Sequence, residues 1–166
     1  MVNIIRDGDL FTVPADILIN PVNRMGISGA GLAKEFKRRF PKHEERWREN
    51  TQFPMGEYSP NCETFQSVHK SEIFLTGKID GVMVLYLPTK HNPKDALSDV
   101  DLIAICLRMF RNLCKRNPEY VQTVGAVNMP ALGCGLGGLD FEGLIKPLIL
   151  DMFQNEPYTI NLFEPK

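Results

Sequence analysis

Glycines gather at two places in this chain, and both are spaced for chemistry on an anion. The run Met129-Pro130-Ala131-Leu132-Gly133-Cys134-Gly135-Leu136-Gly137-Gly138-Leu139-Asp140 holds four glycines in six residues. Each glycine loses more backbone freedom on folding than any other residue, so an ordinary turn explains that density poorly. A main-chain cradle of N–H groups around an anion explains it better. The second place is Asn20-Pro21-Val22-Asn23-Arg24-Met25-Gly26-Ile27-Ser28-Gly29-Ala30-Gly31-Leu32-Ala33. Here Gly29, Ala30 and Gly31 open an amphipathic helix, where unpaired backbone donors attract anions and small residues permit close approach. No Gly-Lys-Ser/Thr follows, so it is not a P-loop, and the intervening Asn and Arg residues fit a dinucleotide fingerprint poorly. Asn23 suits sugar hydroxyls, because a carboxamide both donates and accepts. Asn20 is a second candidate contact, with a strand-end cap as its preferred reading.

Lys90 follows Val84-Leu85-Tyr86-Leu87-Pro88-Thr89, at the end of a strand. A lysine acts as a nucleophile only after losing its proton, through burial or a nearby cation. Its ordinary alternative is a solvated loop residue. His91 is a candidate proton shuttle near neutral pH or a plain surface residue. Cys134 has no evident histidine partner and reads as a small packed residue, and Asp140 reads as a helix N-cap. His43, His69 and His91 lack ligand spacing, so no metal or other cofactor is expected. The basic stretch Lys37-Arg38-Arg39, Lys42, Arg46, Arg48 interleaves Phe40 and Trp47, a pattern that can stack on bases. Glu44, Glu45 and Glu49 dilute it, which favours a solvated helix face with Trp47 packed inward.

These groups need a scaffold, and apolar periodicity supplies one. Strands are expected at Val2–Ile5, at Ile17–Ile19 ending at Asn20-Pro21, weakly at Ile73–Leu75, at Val82–Leu87 closed by Pro88, at Val121–Met129 and at Thr159–Phe163. Between Thr51 and Asp80 the chain is otherwise irregular. Leu32, Ala33, Phe36 and Phe40 share one helical face that Pro41 ends, and Lys42–Asn50 is a second short helix. Ser98-Asp99 caps a helix carrying Ile103, Leu107, Phe110 and Leu113 or Cys114. Leu144, Ile145, Leu148, Met152 and Phe153 mark a last helix that Pro147 kinks or delays. Strands alternating with helices imply a three-layer α/β/α sandwich with a mixed, largely parallel sheet, which binds ligands at the strands' carboxyl ends.

The chain has 166 residues, 43% hydrophobic and 23% charged, with a formal net charge of −1. One domain spanning residues 1–166 is expected, with no overall field toward nucleic acid or anionic membrane. No apolar run is long enough to span a bilayer, and the N-terminus does not resemble a signal peptide. Four scattered cysteines suggest reduced thiols and a cytoplasmic setting. A monomer is expected.

Four motifs in order resemble the macrodomain family, which binds ADP-ribose. They are Asp7-Gly8-Asp9-Leu10, then Ala15-Asp16-Ile17-Leu18-Ile19-Asn20-Pro21-Val22-Asn23, then Gly29-Ala30-Gly31-Leu32-Ala33-x-x-Phe36-Lys37-x-x-Phe40-Pro41, and the second glycine loop. Phe-Lys-x-x-Phe-Pro and Gly-Cys-Gly-Leu point to the branch holding DarG-type antitoxins and the human enzyme that removes terminal ADP-ribose from proteins. Ser28 stands where the MacroD-type branch has histidine. The resemblance implies that Asp9 accepts from the adenine amino group beside Leu10. Asn23 would contact the outer ribose, and Gly29, Ala30 and Gly31 would line that ribose and the diphosphate. Gly133, Gly135, Leu136 and Gly137 would hold the phosphates. Phe163 would pack on adenine or serve as a core aromatic.

The resemblance also makes Lys90 and Asn23 the catalytic candidates. The human enzyme pairs its lysine with an Asp where this chain has Gly137. DarG-type proteins also have glycine there, and they release ADP-ribose from thymine bases in DNA. An ADP-ribosyl hydrolase acting on DNA or protein is therefore the leading expectation. A phosphatase acting on ADP-ribose 1″-phosphate and a non-catalytic ADP-ribose reader are the alternatives.

Overall fold

The computed structural model describes residues 1–51 and 73–166. Cys62, His69 and most of the irregular stretch lie outside the described residues. The strands are β1 (Val2–Ile5), β2 (Ile17–Asn23), β3 (Phe74–Leu75), β4 (Met83–Lys90), β5 (Ala126–Met129) and β6 (Thr159–Phe163). The α-helices are α1 (Gly31–Arg39), α2 (Pro41–Asn50), α3 (Val100–Arg116) and α4 (Lys146–Phe153). The strands form one sheet in the order β1-β6-β5-β2-β4-β3. Every pair is parallel except β3 with β4. Among the described residues no helix is long and apolar enough to cross a membrane.

Alternation along the strands builds the three layers, since successive side chains point to opposite faces. Ile17 and Ile19 of β2, with Met83, Leu85 and Leu87 of β4, pack against Ile103, Leu107 and Phe110 of α3 and Ile149 and Phe153 of α4. Leu18, Val22, Val84 and Tyr86 pack on the other face against Phe36 of α1 and Trp47 of α2. A sheet covered on both faces needs strands apolar at nearly every position, as β2 and β4 are. Asp99 starts α3: its carboxylate accepts from the N–H groups of Asp101 and Leu102. Pro41 occupies the first turn of α2, where a missing N–H costs nothing.

Three strand boundaries differ from expectation, each for a local reason. β2 runs through Pro21 to Asn23, and β4 runs through Pro88 to Lys90. Both prolines stand where one flank of the strand has no partner among the described residues: there β2 meets β5 only at Ile17 and Leu18, and β4 meets β3 only at Leu85 and Tyr86. β5 begins at Ala126 because Pro118–Val121 forms a 3-10 turn. The Asp16 carboxylate then ties the N–H groups of Val124 and Gly125 into a bend. The last helix does begin late: Phe141–Ile145 forms a π-type turn, and Pro147 sits in the first turn of α4.

Candidate functional site

A cleft of about 770 Å³ opens at the carboxyl ends of the central strands. Asn23 ends β2, Lys90 ends β4, and the two are register partners across the ladder. The second glycine loop follows β5, and Phe163 ends β6. The cleft is lined by Asp9, Leu10, Asn23, Gly29, Ala30, Gly31, Lys90, Gly133, Gly135, Leu136, Gly137 and Phe163. Of the residues singled out in the sequence as ligand contacts, Asn20 alone does not line it.

Asn23 organises the first loop. Its amide Nδ2 donates to the Ile27 carbonyl at 2.7 Å, and its Oδ1 accepts from the N–H groups of Met25 and Ile27 at 3.1 and 3.2 Å. Lys90 joins the second loop to the segment after β4. Its Nζ donates to the Asp95 carbonyl at 2.9 Å and to the Leu136 carbonyl at 3.4 Å. An ammonium has three protons, so one remains for a ligand.

Both loops present backbone donors. In the second, the N–H groups of Cys134, Gly138 and Leu139 bond to Ala131, Gly135 and Gly133 carbonyls, which ties the loop's ends together. Gly135, Leu136 and Gly137 make no such bond among the described residues. Gly133 and Gly138 bracket these three at φ of +73° and +70°, a backbone region that side chains disfavour. Three consecutive N–H groups without an internal backbone partner are the donors that an anion nest requires. In the first loop, Ala30 begins α1 without a side-chain cap, and no acidic residue occupies the first turn. Those helix N-terminal donors and the helix dipole favour an anion. The loops meet where Leu136 Cδ1 lies 3.3 Å from the position a Gly31 Cβ would take.

At the far end, Asp9 is exposed and its Oδ1 accepts from the Phe11 N–H at 2.9 Å, leaving Oδ2 for a ligand. Leu10 and Phe163 are buried and belong to the core on the α1/α2 face while also walling the cleft. The two readings of Phe163 are thus compatible.

Three residues are placed differently from their sequence readings. Asn20 is neither in the cleft nor at a strand end. It alternates with Leu18 and Val22 and is wholly buried under α2, register partner to Tyr86. His91 is outside the cleft lining; its Nε2 meets Asp99 Oδ2 at 2.7 Å and its Nδ1 meets Arg24 at 3.1 Å. Asp140 stands at an N-cap position, but its side chain makes no capping bond. Trp47 is packed inward as expected, stacked on Tyr86 at 4.4 Å, and Arg38, Arg39 and Arg48 pair with Glu35 and Glu44. Cys134 is half-buried in the cleft wall. Burial, then the charge of Asp140, pushes its thiol up to about 11, which leaves little thiolate at neutral pH.

The chain matches no family model. It is 31% identical to the DNA ADP-ribosyl glycohydrolase of Mycobacterium tuberculosis, over 90% of this chain and 38% of that protein. Among solved structures, the macrodomain of Mycobacterium tuberculosis DarG superposes with a TM-score of 0.70 at 26% identity, covering 100% of this chain and 99% of that one. The chain has the macrodomain fold. Thermosipho africanus DarTG in complex with ADP-ribose superposes with a TM-score of 0.73 at 23% identity, covering 98% of this chain and 42% of that one. This macrodomain spans about two fifths of the length of the curated glycohydrolases it matches.

The macrodomain also uses residues that the motifs did not single out. Asn128, in the middle of β5, donates to the Leu10 and Val13 carbonyls at 2.9 and 2.7 Å and so fixes the turn that carries Asp9. Asn161 of β6 in turn donates to Asn128 Oδ1. A lone Asn inside each of two apolar strands was the available signal, since a buried amide must find partners. Ser98 lines the cleft, and its N–H donates to the Gly137 carbonyl at 2.9 Å. Among the described residues no group of three or more His, Cys, Asp or Glu is placed to hold a metal ion.

Proposed function

We propose that this macrodomain binds ADP-ribose in the cleft and hydrolyses the bond joining it to a macromolecule, with an ADP-ribosylated DNA base as the substrate to test first. The supporting observation is the pairing of Asn23 and Lys90 at the ends of adjacent strands, between two loops of free backbone donors. Asp9 and Leu10 would receive adenine, beside Phe163. The Gly135–Gly137 nest and the α1 N-terminus would hold the diphosphate. Asn23 would shape the pocket for the outer ribose, and Lys90 would stand at its anomeric carbon. Hydrolysis there breaks the glycosidic bond, adds water to the sugar carbon, and releases the base with the bond's electron pair and a proton. Lys90 would donate its remaining N–H to the departing base as negative charge develops there, and the fixed loops would supply the preorganisation. The DNA base is drawn from the glycohydrolase relative, which is longer than this chain.

The experiment is calorimetry with ADP-ribose, followed by incubation with ADP-ribosylated DNA, ADP-ribosylated protein and ADP-ribose 1″-phosphate. Lys90→Ala should abolish turnover while ADP-ribose affinity stays within a few fold. Absence of ADP-ribose binding would overturn the whole assignment, and unchanged turnover in Lys90→Ala would remove the role of that residue. Release of phosphate from the 1″-phosphate alone would make the protein a phosphatase; binding without any product would make it a reader.

A further inference from the structure

The first glycine loop is stapled twice. One staple is Asn23; the other lies on the opposite side of the loop, away from the ligand cleft. Ser28, immediately before Gly29, is buried, and its Oγ donates to Glu44 Oε1 of α2 at 2.9 Å. Arg48, one helical turn on, donates to the same Glu44 oxygen at 2.9 and 3.2 Å and to Ser28 Oγ at 3.4 Å. Its guanidinium lies over Trp47, which stacks on Tyr86. Glu44 is itself only 4% exposed.

Burying a charge is costly, and replacing a whole buried ion pair by apolar residues of similar volume is often neutral or stabilising, so stability alone is a weak reason for this carboxylate. Glu44 Oε2, the Tyr86 hydroxyl and the Asn20 amide are gathered on one buried face. Burial first, then the charge of Glu44 and hydrogen bonding to it, push the Tyr86 phenol well above its ordinary value, so that hydroxyl stays neutral. What Glu44 does accomplish is geometric. It grips the residue that precedes Gly29-Ala30-Gly31, whose donors have no side-chain cap of their own.

We infer that Glu44 is a positioning residue which, acting through Ser28, fixes the first glycine loop in the conformation that presents its N–H groups to the ligand. The ligand readout rests on the ADP-ribose assignment; the loop readout does not. Two variants separate this role from a merely structural one. Ser28→Ala removes the grip and little else. Glu44→Leu keeps the volume and removes the buried charge.

Amide hydrogen exchange is measured on the ligand-free proteins, with calorimetry using ADP-ribose and adenosine as probes. Both variants should exchange the Gly29–Gly31 amides faster than wild type. Loss of a hydrogen bond to a charged group should weaken ADP-ribose about tenfold or more, while adenosine, which does not reach this loop, binds as before. Glu44→Leu, which removes one partner of the Arg48 pair, should unfold at a lower temperature than wild type, whereas Ser28→Ala should stay close to it. Wild-type exchange at Gly29–Gly31 in both variants would overturn the inference, whatever the protein binds. So would a Ser28→Ala protein whose affinity falls equally for both ligands. Faster exchange in a protein that never bound ADP-ribose would uphold the positioning role and reject the ADP-ribose assignment.

Discussion

Adding one methyl group at Gly135 or at Gly137 should have opposite consequences for folding and the same consequence for binding. A Cβ on Gly137 would lie 2.1 Å from Ser98 Oγ, 2.4 Å from the Gly133 carbonyl oxygen and 2.8 Å from the Gly133 carbonyl carbon. Ser98 can rotate, but the Gly133 backbone is fixed by the bond from the Leu139 N–H. An ordinary contact is about 1 Å longer, so the loop must shift by roughly that amount. Overpacking of this kind costs about 1–3 kcal/mol. A displacement of about 1 Å in a binding constellation can cost on the order of a hundredfold. Gly135 is the opposite case: nothing lies within 4 Å of its Cβ position, and its φ is not in the left-handed region. Gly135→Ala should therefore unfold within about 0.5 kcal/mol of wild type, or slightly above it through a stiffer unfolded chain. The methyl would nevertheless stand in the cleft where the proposed binding mode puts a phosphate, so ADP-ribose affinity should fall at least about tenfold, a loss of roughly 1.4 kcal/mol. Thermal unfolding and calorimetry on both variants decide it. A Gly137→Ala protein with wild-type melting temperature and affinity would refute the packing argument, and unimpaired binding by Gly135→Ala would refute the nest.

Two further variants test the frame around the cleft. Asn23→Ala removes three hydrogen bonds from the turn ending at Ile27 and should weaken both ADP-ribose affinity and turnover; Asn23→Asp, which keeps the acceptor for Met25 and Ile27, should recover part of the affinity in the same titration. Asp99→Asn keeps N-cap chemistry but loses the charged contact to His91. Burial works to raise the Asp99 pKa, but hydrogen bonds from His91, Leu102 and Asp101 outweigh it and hold it below the ordinary value. Such a group adds stability that is present above the unfolded-state pKa of about 3.9 and is lost as pH falls through the lower folded value. Melting temperature followed from pH 7 down to about pH 2 should thus show a shallower acid decline for Asp99→Asn than for wild type, and equal slopes would remove Asp99 from the acid response.

What could be read from the sequence depended on how local each cause was. The Asp99 cap, the Pro41 break and the helical faces of α1 and α3 are encoded within a turn or two, and the structure has them where periodicity puts them. The ends of β2 and β4 are not local. A proline ends a strand only if its missing N–H is needed, and that depends on how far β5 and β3 run beside it. The second loop was legible because four glycines in six residues have few uses. The Asn128 and Asn161 pair was not, because its targets, the Leu10 and Val13 carbonyls, lie over a hundred positions away in the chain.

Asn20 and Asn23 show how strand parity can separate two residues of the same type. Both sit on β2, three positions apart, so they face opposite sides unless the strand is interrupted. The ladder shift between Val22 and Asn23 is taken up on β4, where Thr89 is passed over, so β2 keeps its parity: Asn23 lines the cleft while Asn20 is buried with Leu18 and Val22 on the α1/α2 face. A similar shift in meaning applies to Gly137. As sequence it is a carboxylate missing from a catalytic pair. As structure it is a position where even a Cβ would meet Ser98 and the Gly133 backbone. An acid cannot be restored there on this backbone, so installing Asp at residue 137 should abolish binding rather than add catalysis. Whatever proton transfer the cleft performs must come from groups already on its wall, and of these Lys90, with one N–H left to give, stands at the strand-end partner of Asn23.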